Sequence, residues 1–203
     1  MSDREERVPH LRAVAVMSIV FFALLGFAYP GFVAVVSHGI GLGYQANGSL
    51  ISQNGTVIAS KFIGENFSAP YYFWPRVSSV NYNSSNGSGG EAIGIMTQQF
   101  YNETRNYTLY LLSTGHVPNG TYVPGNGVEP SGSGFDPDIS LGFARFQLPR
   151  VAYYSHLNLT LLEKLVEKYT TYPYLGFIGS TYVNVVQLDI ALHGILVGNG
   201  TIS

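Results

Sequence analysis

The sequence predicts an α+β fold: one N-terminal transmembrane helix followed by a single mixed extracytoplasmic domain. Three features of the 203-residue chain carry that prediction. Residues 13–36 form an uncharged apolar stretch. Short runs of strand-forming residues then flank an Asn-Gly pair. Farther on, apolar side chains recur at helical spacing.

A bilayer core of about 30 Å takes about 20 apolar residues as a helix, and residues 13–36 meet that length. Backbone groups inside lipid must bond internally, so a lone span is helical. Pro30 and Gly31 are expected to kink or thin its outer third. Arg4, Arg7 and Arg12 precede the span, and no Lys or Arg follows it before Lys61. The positive-inside rule therefore assigns residues 1–12 to the cytoplasm. Residues 37–46 read as a Gly-rich neck and residues 47–203 as the extracytoplasmic domain. So long an apolar stretch, with no small-residue cleavage site behind it, reads as an anchor rather than a cleaved signal peptide. Ser18, Gly26, Ala28 and Gly31 would let it pack on other membrane helices.

Asparagine usage agrees with that orientation. Ten of the 13 Asn residues begin an Asn-x-Ser/Thr sequon: Asn47, Asn54, Asn66, Asn83, Asn86, Asn102, Asn106, Asn119, Asn158 and Asn199. With Ser and Thr together at 30 of 203 residues, a random arrangement would give about two sequons. None precedes the span. Such sites accept glycans outside the cell, at a density that suits an archaeal or eukaryotic source better than a typical bacterium. The composition excludes other classes. A net charge of −2 provides no basic field for nucleic acid. The lack of cysteine rules out disulfides and thiolate metal sites.

Within the domain, residues 49–52 and 56–63 flank Gln53-Asn54-Gly55 as a hairpin. Residues 71–74 (Tyr-Tyr-Phe-Trp) read as a third strand of the core, or as an aromatic platform for sugar or a partner. After a polar loop at 81–90, a helix is expected over 92–113, with Ile93, Met96, Phe100, Tyr107 and Tyr110 on its apolar face. Asn102 and Asn106 fall on the opposite face. Ser140 can cap a helix whose stripe is Leu141, Ala144, Leu148 and Val151, with Pro149 bending it. Thr160 and Glu163 form a capping box for the next helix, striped by Leu161, Leu162, Leu165, Val166 and Tyr169 and ended by Pro173. Residues 182–192, rich in β-branched side chains, read as a last strand whose polar phase shifts near Val185 and Val186.

No catalytic constellation emerges. His10, His38, His116, His156 and His193 are scattered, with no metal-ligand spacing. Ser133 lacks the Gly two places before it that a nucleophile elbow requires, and Ser88 fails in the same way. Lys61, Lys164 and Lys168 follow no glycine, so no phosphate-cradling loop is present. Asp136 and Asp138 could hold a cation, but calcium needs more oxygens. Standing just before a helix, they read better as charges facing its positive end. The reading is a non-catalytic chain with no evident cofactor.

An ordered set of strings resembles the C subunit of the Kdp potassium-transporting ATPase, from the span almost to the C-terminus. Tyr29-Pro30 and Gln45-Ala46-Asn47-Gly48-Ser49-Leu50-Ile51 come first. Phe62-Ile63-Gly64-Glu65-Asn66-Phe67, Tyr72-Phe73-Trp74-Pro75-Arg76 and Ser88-Gly89-Gly90 follow. Next is Ser131-Gly132-Ser133-Gly134-Phe135-Asp136-Pro137-Asp138-Ile139-Ser140. The last two strings are Gln147-Leu148-Pro149-Arg150-Val151-Ala152 and residues 183–192. The chain departs from the family at Glu91-Ala92 and Glu129-Pro130. On these strings, Gln45, Asn47, Gly48, Ser49, Gly64, Phe73, Arg76, Gly89, Gly90, Ser131, Gly132, Ser133, Gly134, Asp136, Arg150 and Asn184 are the positions expected to have structural or interface roles.

The resemblance implies an accessory subunit of a high-affinity, ATP-driven potassium uptake complex. Its implied partners are a channel-like potassium-translocating subunit and a P-type ATPase subunit. The complex as a whole is implied to use ATP, magnesium and potassium. The implied role is to aid assembly and stability and, indirectly, the nucleotide affinity of the ATPase subunit. The alternative is a membrane-anchored surface glycoprotein with a binding role. An anchored hydrolase is the more remote reading.

Overall fold

The computed structural model describes residues 7–53, 55–83, 85, 87–90, 94 and 96–201. They form two compact units, divided between Ser49 and Leu50.

The first unit is helical. Helix α1 (Arg7–Ala23) leads through a wider π turn (Leu24–Ala28) into α2 (Tyr29–Gly39), and a short α3 (Gly43–Ala46) follows. The 30 residues from His10 to Gly39 are long and apolar enough to cross a membrane. The irregularity expected at Pro30 and Gly31 lies in the turn before them. Pro30 has no N–H, and its ring crowds the carbonyl four residues back, at Gly26. The helix widens there, with the Tyr29 N–H donating to Leu24 O, five residues back. The Gly-rich neck is also more helical than expected, since α2 continues to Gly39.

The second unit mixes helix and sheet, as α+β requires. Strands β1 (Leu50–Gln53) and β2 (Thr56–Ser60) form the predicted antiparallel hairpin, with a register shift between Ile51 and Ser52. Gly55 supplies the left-handed backbone of its turn, at φ 79°; Asn54 lies outside the described residues. A three-stranded antiparallel sheet has the order β3 (Asp138–Ile139), β5 (Tyr182–Asn184), β4 (Thr170–Thr171). Helices α4 (Gln98–Thr114), α5 (Leu141–Ser155), α6 (Leu159–Lys168) and α7 (Val185–Gly198) complete the unit. The core gathers Phe73, Phe143, Leu162, Val183, Leu188 and Leu192, all without solvent contact.

Several sequence expectations are corrected here. Residues 71–74 are buried in the core at Phe73 and Trp74 but form no strand; helix side chains satisfy their backbone instead. Residues 182–192 are not one strand. Asn184 ends β5 and caps α7, its side chain accepting from Gln187 N, so the phase shift at Val185 marks a strand-to-helix switch. Helix α4 starts at Gln98, capped by Thr97. Met96 precedes it and is exposed, and the buried residue of α4 is Leu111. Ala92 and Ile93 lie outside the described residues. Asn102 and Asn106 are exposed on α4 as expected. Ser140 caps α5, which continues through Pro149. The cap of α6 is Asn158, accepting from Thr160 N, rather than Thr160 itself.

Candidate functional site

The motif positions of the second unit gather into three neighbouring sets of contacts. The first is a clasp between loops. Gly89 N donates to Ser133 O at 3.0 Å, and Ser88 Oγ donates to the same carbonyl. Ser79 Oγ donates to Gly89 O and Ser78 Oγ to Gly134 O. Gly134 N in turn donates to the buried Ser131 Oγ. At Gly64, Gly90 and Gly134 the closeness of the backbones requires glycine. A Cβ on Gly90 would stand 2.8 Å from Gly132 O, and one on Gly64 would stand 2.8 Å from Asp136 O. Arg76 closes the clasp by pairing with Asp136 at 2.8 Å and donating to Pro130 O at 3.1 Å. Asp136 also accepts from Asp138 N. The Asp136 carboxylate therefore organises the loop, and the cap of the following helix falls to Ser140.

The second set centres on Arg150, which is almost fully buried. Its Nη1 donates to Pro70 O and Tyr72 O, its Nη2 donates to Gln147 Oε1, and its guanidinium lies 3.6 Å from the Trp74 ring centroid. Gln147 bonds both the N–H and the carbonyl of Trp74, and Asp189 Oδ1 accepts from Phe73 N. Burial pushes the Arg150 guanidinium down to about 10. Burial raises the fully enclosed Asp189 carboxyl well above its usual range, against the bond from Phe73 and the Arg150 charge. One helical turn beyond Asp189, His193 Nδ1 lies 2.5 Å from the Tyr72 hydroxyl.

The third set is at the end of the sheet. Asn184 Nδ2 donates to Lys61 O at 2.9 Å and to Asp138 Oδ1 at 3.0 Å. Burial pushes the Asp138 carboxyl up to about 6, although the Asn184 bond favours its charged form.

Of the other predicted positions, Gln45, Asn47, Gly48 and Ser49 belong to the first unit, at and just after α3. Gly132 and Ser133 are exposed at the tip of the clasp, with Ser133 Oγ accepting from Phe135 N. The predicted set omitted Gln147 and Asp189, which the second contact set needs most. Both stand inside the motif strings, and an aspartate in the apolar run 183–192 was the available signal. His116 stacks on Tyr153, and His156 ends α5 in the left-handed region. Among the described residues, no three His, Asp or Glu side chains are grouped to hold a metal. The arrangement orients backbone and loops, and its buried polar groups bond mainly to one another, with Arg76 Nε and Asp189 Oδ2 left without a hydrogen bond among the described residues.

The family model described as "KdpC: K+-transporting ATPase, c chain" matches residues 11–194. Curated proteins named potassium-transporting ATPase KdpC subunit align over most of the chain. The one from Paraburkholderia phymatum is 37% identical over 89% of this chain and 94% of its own. The one from Paraburkholderia phytofirmans is 38% identical over the same shares. The one from Mycobacterium tuberculosis is 36% identical over 87% of this chain and 93% of its own. The matched region runs from the apolar helix through the clasp and the Arg150 contacts into α7, and the chain belongs to the KdpC family.

Proposed function

We propose that this chain is the accessory, non-catalytic subunit of an ATP-driven potassium uptake complex, held by one membrane span and acting through its outer domain. The carrying observation is the family match over residues 11–194, which takes in both the apolar helix and the folded unit. The partners in this reading are a channel-like potassium-translocating subunit and a P-type ATPase subunit; ATP, magnesium and potassium are used by the complex. Orientation rests on Arg4, Arg7 and Arg12 before the span and on ten sequons after it. With residues 47–203 outside and ATP inside, any influence on nucleotide affinity is a coupling free energy transmitted through the assembly.

The span packs against the channel-like subunit, and the outer domain covers or shapes its potassium entrance. An apolar projection suits this docking role. Tyr172, Tyr174, Leu175, Phe177 and Ile178 are all more than half exposed, and residues 169–188 carry no charge. Deleting residues 50–203 while keeping the span should lower the yield of complex or its potassium affinity. Unchanged uptake after that deletion would remove the reading.

A further inference from the structure

We infer that the sequon asparagines of this chain are N-glycosylated and that the fold reserves them for that modification. The inference rests on the extracytoplasmic placement proposed above, for which the three arginines before the span argue independently of the sequons. All eight sequon asparagines among the described residues are exposed; Asn54 and Asn86 lie outside those residues. Two of the three asparagines without a sequon contrast with them. Asn184 is buried, and its Nδ2 is committed to Lys61 O and Asp138 Oδ1. Asn126 is half-buried, its Oδ1 accepting from Ser140 N. The third, Asn81, is exposed and sits in the left-handed region at φ 53°.

The hydrogen bonds of the sequon residues show the same division. Asn83 Oδ1 accepts from Ser85 N, Asn102 Oδ1 from Gln98 Nε2, and Asn158 Oδ1 from Thr160 N. In each case the fold uses the amide oxygen, and Nδ2 makes no hydrogen bond among the described residues. Nδ2 is the atom that carries the glycan. In the transfer, Nδ2 gives up one proton and bonds to C1 of the sugar. The C1–O bond to a lipid-linked phosphate donor breaks, and the lipid phosphate leaves. No electron is gained or lost, and the Asn158 cap on α6 survives because its oxygen is untouched.

The test is the intact mass of the full chain, purified in its complex from its own cells, with peptide mapping of the asparagines. The expected mass exceeds 22.1 kDa by whole multiples of one glycan. Asn102→Gln and Asn158→Asp should each remove one increment, the second while keeping an oxygen to cap α6. A mass of 22.1 kDa with bare asparagines overturns the proposal. Protease added to intact cells then separates the two possible failures. Cleavage within residues 50–201 would leave the outer placement standing, and full protection would remove it as well.

Discussion

The side chain of Gln147 and the backbone of Trp74 exchange two hydrogen bonds, Oε1 accepting from the Trp74 N–H at 2.7 Å and Nε2 donating to its carbonyl at 3.0 Å. A helix residue thereby does for this segment what a neighbouring strand would otherwise do. Asp189 takes the adjacent N–H at Phe73, and Arg150 takes the carbonyls of Pro70 and Tyr72. Buried backbone groups need partners, and here three helix side chains supply them.

Replacing Gln147 by Met should therefore be costly although the volume is nearly kept. The change leaves the Trp74 N–H and carbonyl, and one Arg150 donor, buried without partners. A loss of about 3 kcal/mol is expected from unmade buried hydrogen bonds. The chain has one tryptophan, Trp74 itself, so its fluorescence in a denaturant titration of the full-length protein in detergent reports the transition. A midpoint equal to that of the parent chain would contradict the role given to Gln147.

Asp138 makes stability depend on pH in a defined direction. Its carboxyl is raised to about 6 by burial, above its ordinary value of 3.8. A raised carboxyl favours the folded state while it is protonated. Its contribution is complete below the unfolded value and is lost as pH rises through about 6. Asp138→Asn should flatten that slope and add about 1 kcal/mol at pH 7–8, the figure being reduced because the group is partly solvated. The substituted amide keeps an oxygen for Asn184 Nδ2. Parallel denaturation of parent and variant from pH 4 to 8 gives the difference directly, and a difference constant with pH would refute the assignment.

Local signals carried far along this chain. The Asn-Gly hairpin, the Ser140 cap and the apolar stripe of α6 are all written in adjacent residues. Two segments were misjudged from sequence, one settled by distant side chains and one by a single cap within it. Residues 71–74 look like a strand because aromatic residues favour sheets, but their partners lie more than 70 residues away, at Gln147 and Asp189. Residues 182–192 are β-branched at first and then helical, and the switch depends on a single cap at Asn184. Gly89, Gly90, Ser131 and Gly134 of the clasp stand in the strings that carry the family resemblance, whereas Ser78 and Ser79, which bond across it, were not singled out. The Arg150 contacts were legible only in part: burial of Gln147 has no local signature, and that of Asp189 is signalled only by its place in an apolar run.

The clasp distinguishes two glycines two residues apart. Gly134 has φ 75°, and a Cβ there would stand 2.5 Å from a Val80 methyl and 2.9 Å from Gly89 O. Gly132 has nothing within 4 Å of its Cβ position. Gly134→Ala should cost about 2 kcal/mol or more, through both the left-handed backbone and the collision. Gly132→Ala should stay within about 0.5 kcal/mol of the parent. Thermal or denaturant unfolding of the two variants checks this, and equal effects would mean that the clasp is not held by close backbone contact.

The projection at residues 172–178 separates folding from assembly. It is a tight turn, with Tyr174 N donating to Ile178 O at 2.9 Å and Ile178 N returning to Tyr174 O at 3.0 Å. Gly176 lies within it at φ 81°. Phe177 is 76% exposed and Tyr174 is 72% exposed, so serine at either position removes little packing within the chain. Stability should change by less than about 0.5 kcal/mol. If these rings are anchors on a partner subunit, each truncation should weaken association by about 2 kcal/mol, roughly thirty-fold in Kd. Leu109→Ser is the control. It removes an exposed apolar side chain of α4 that lies seven residues from Asn102 and three from Asn106, on their solvent face. Quantifying the complex recovered in mild detergent should show losses for Phe177→Ser and Tyr174→Ser and none for Leu109→Ser. Equal recovery from all three would clear residues 172–178 of any part in docking, and losses with every variant would point to a general defect in assembly rather than to this turn.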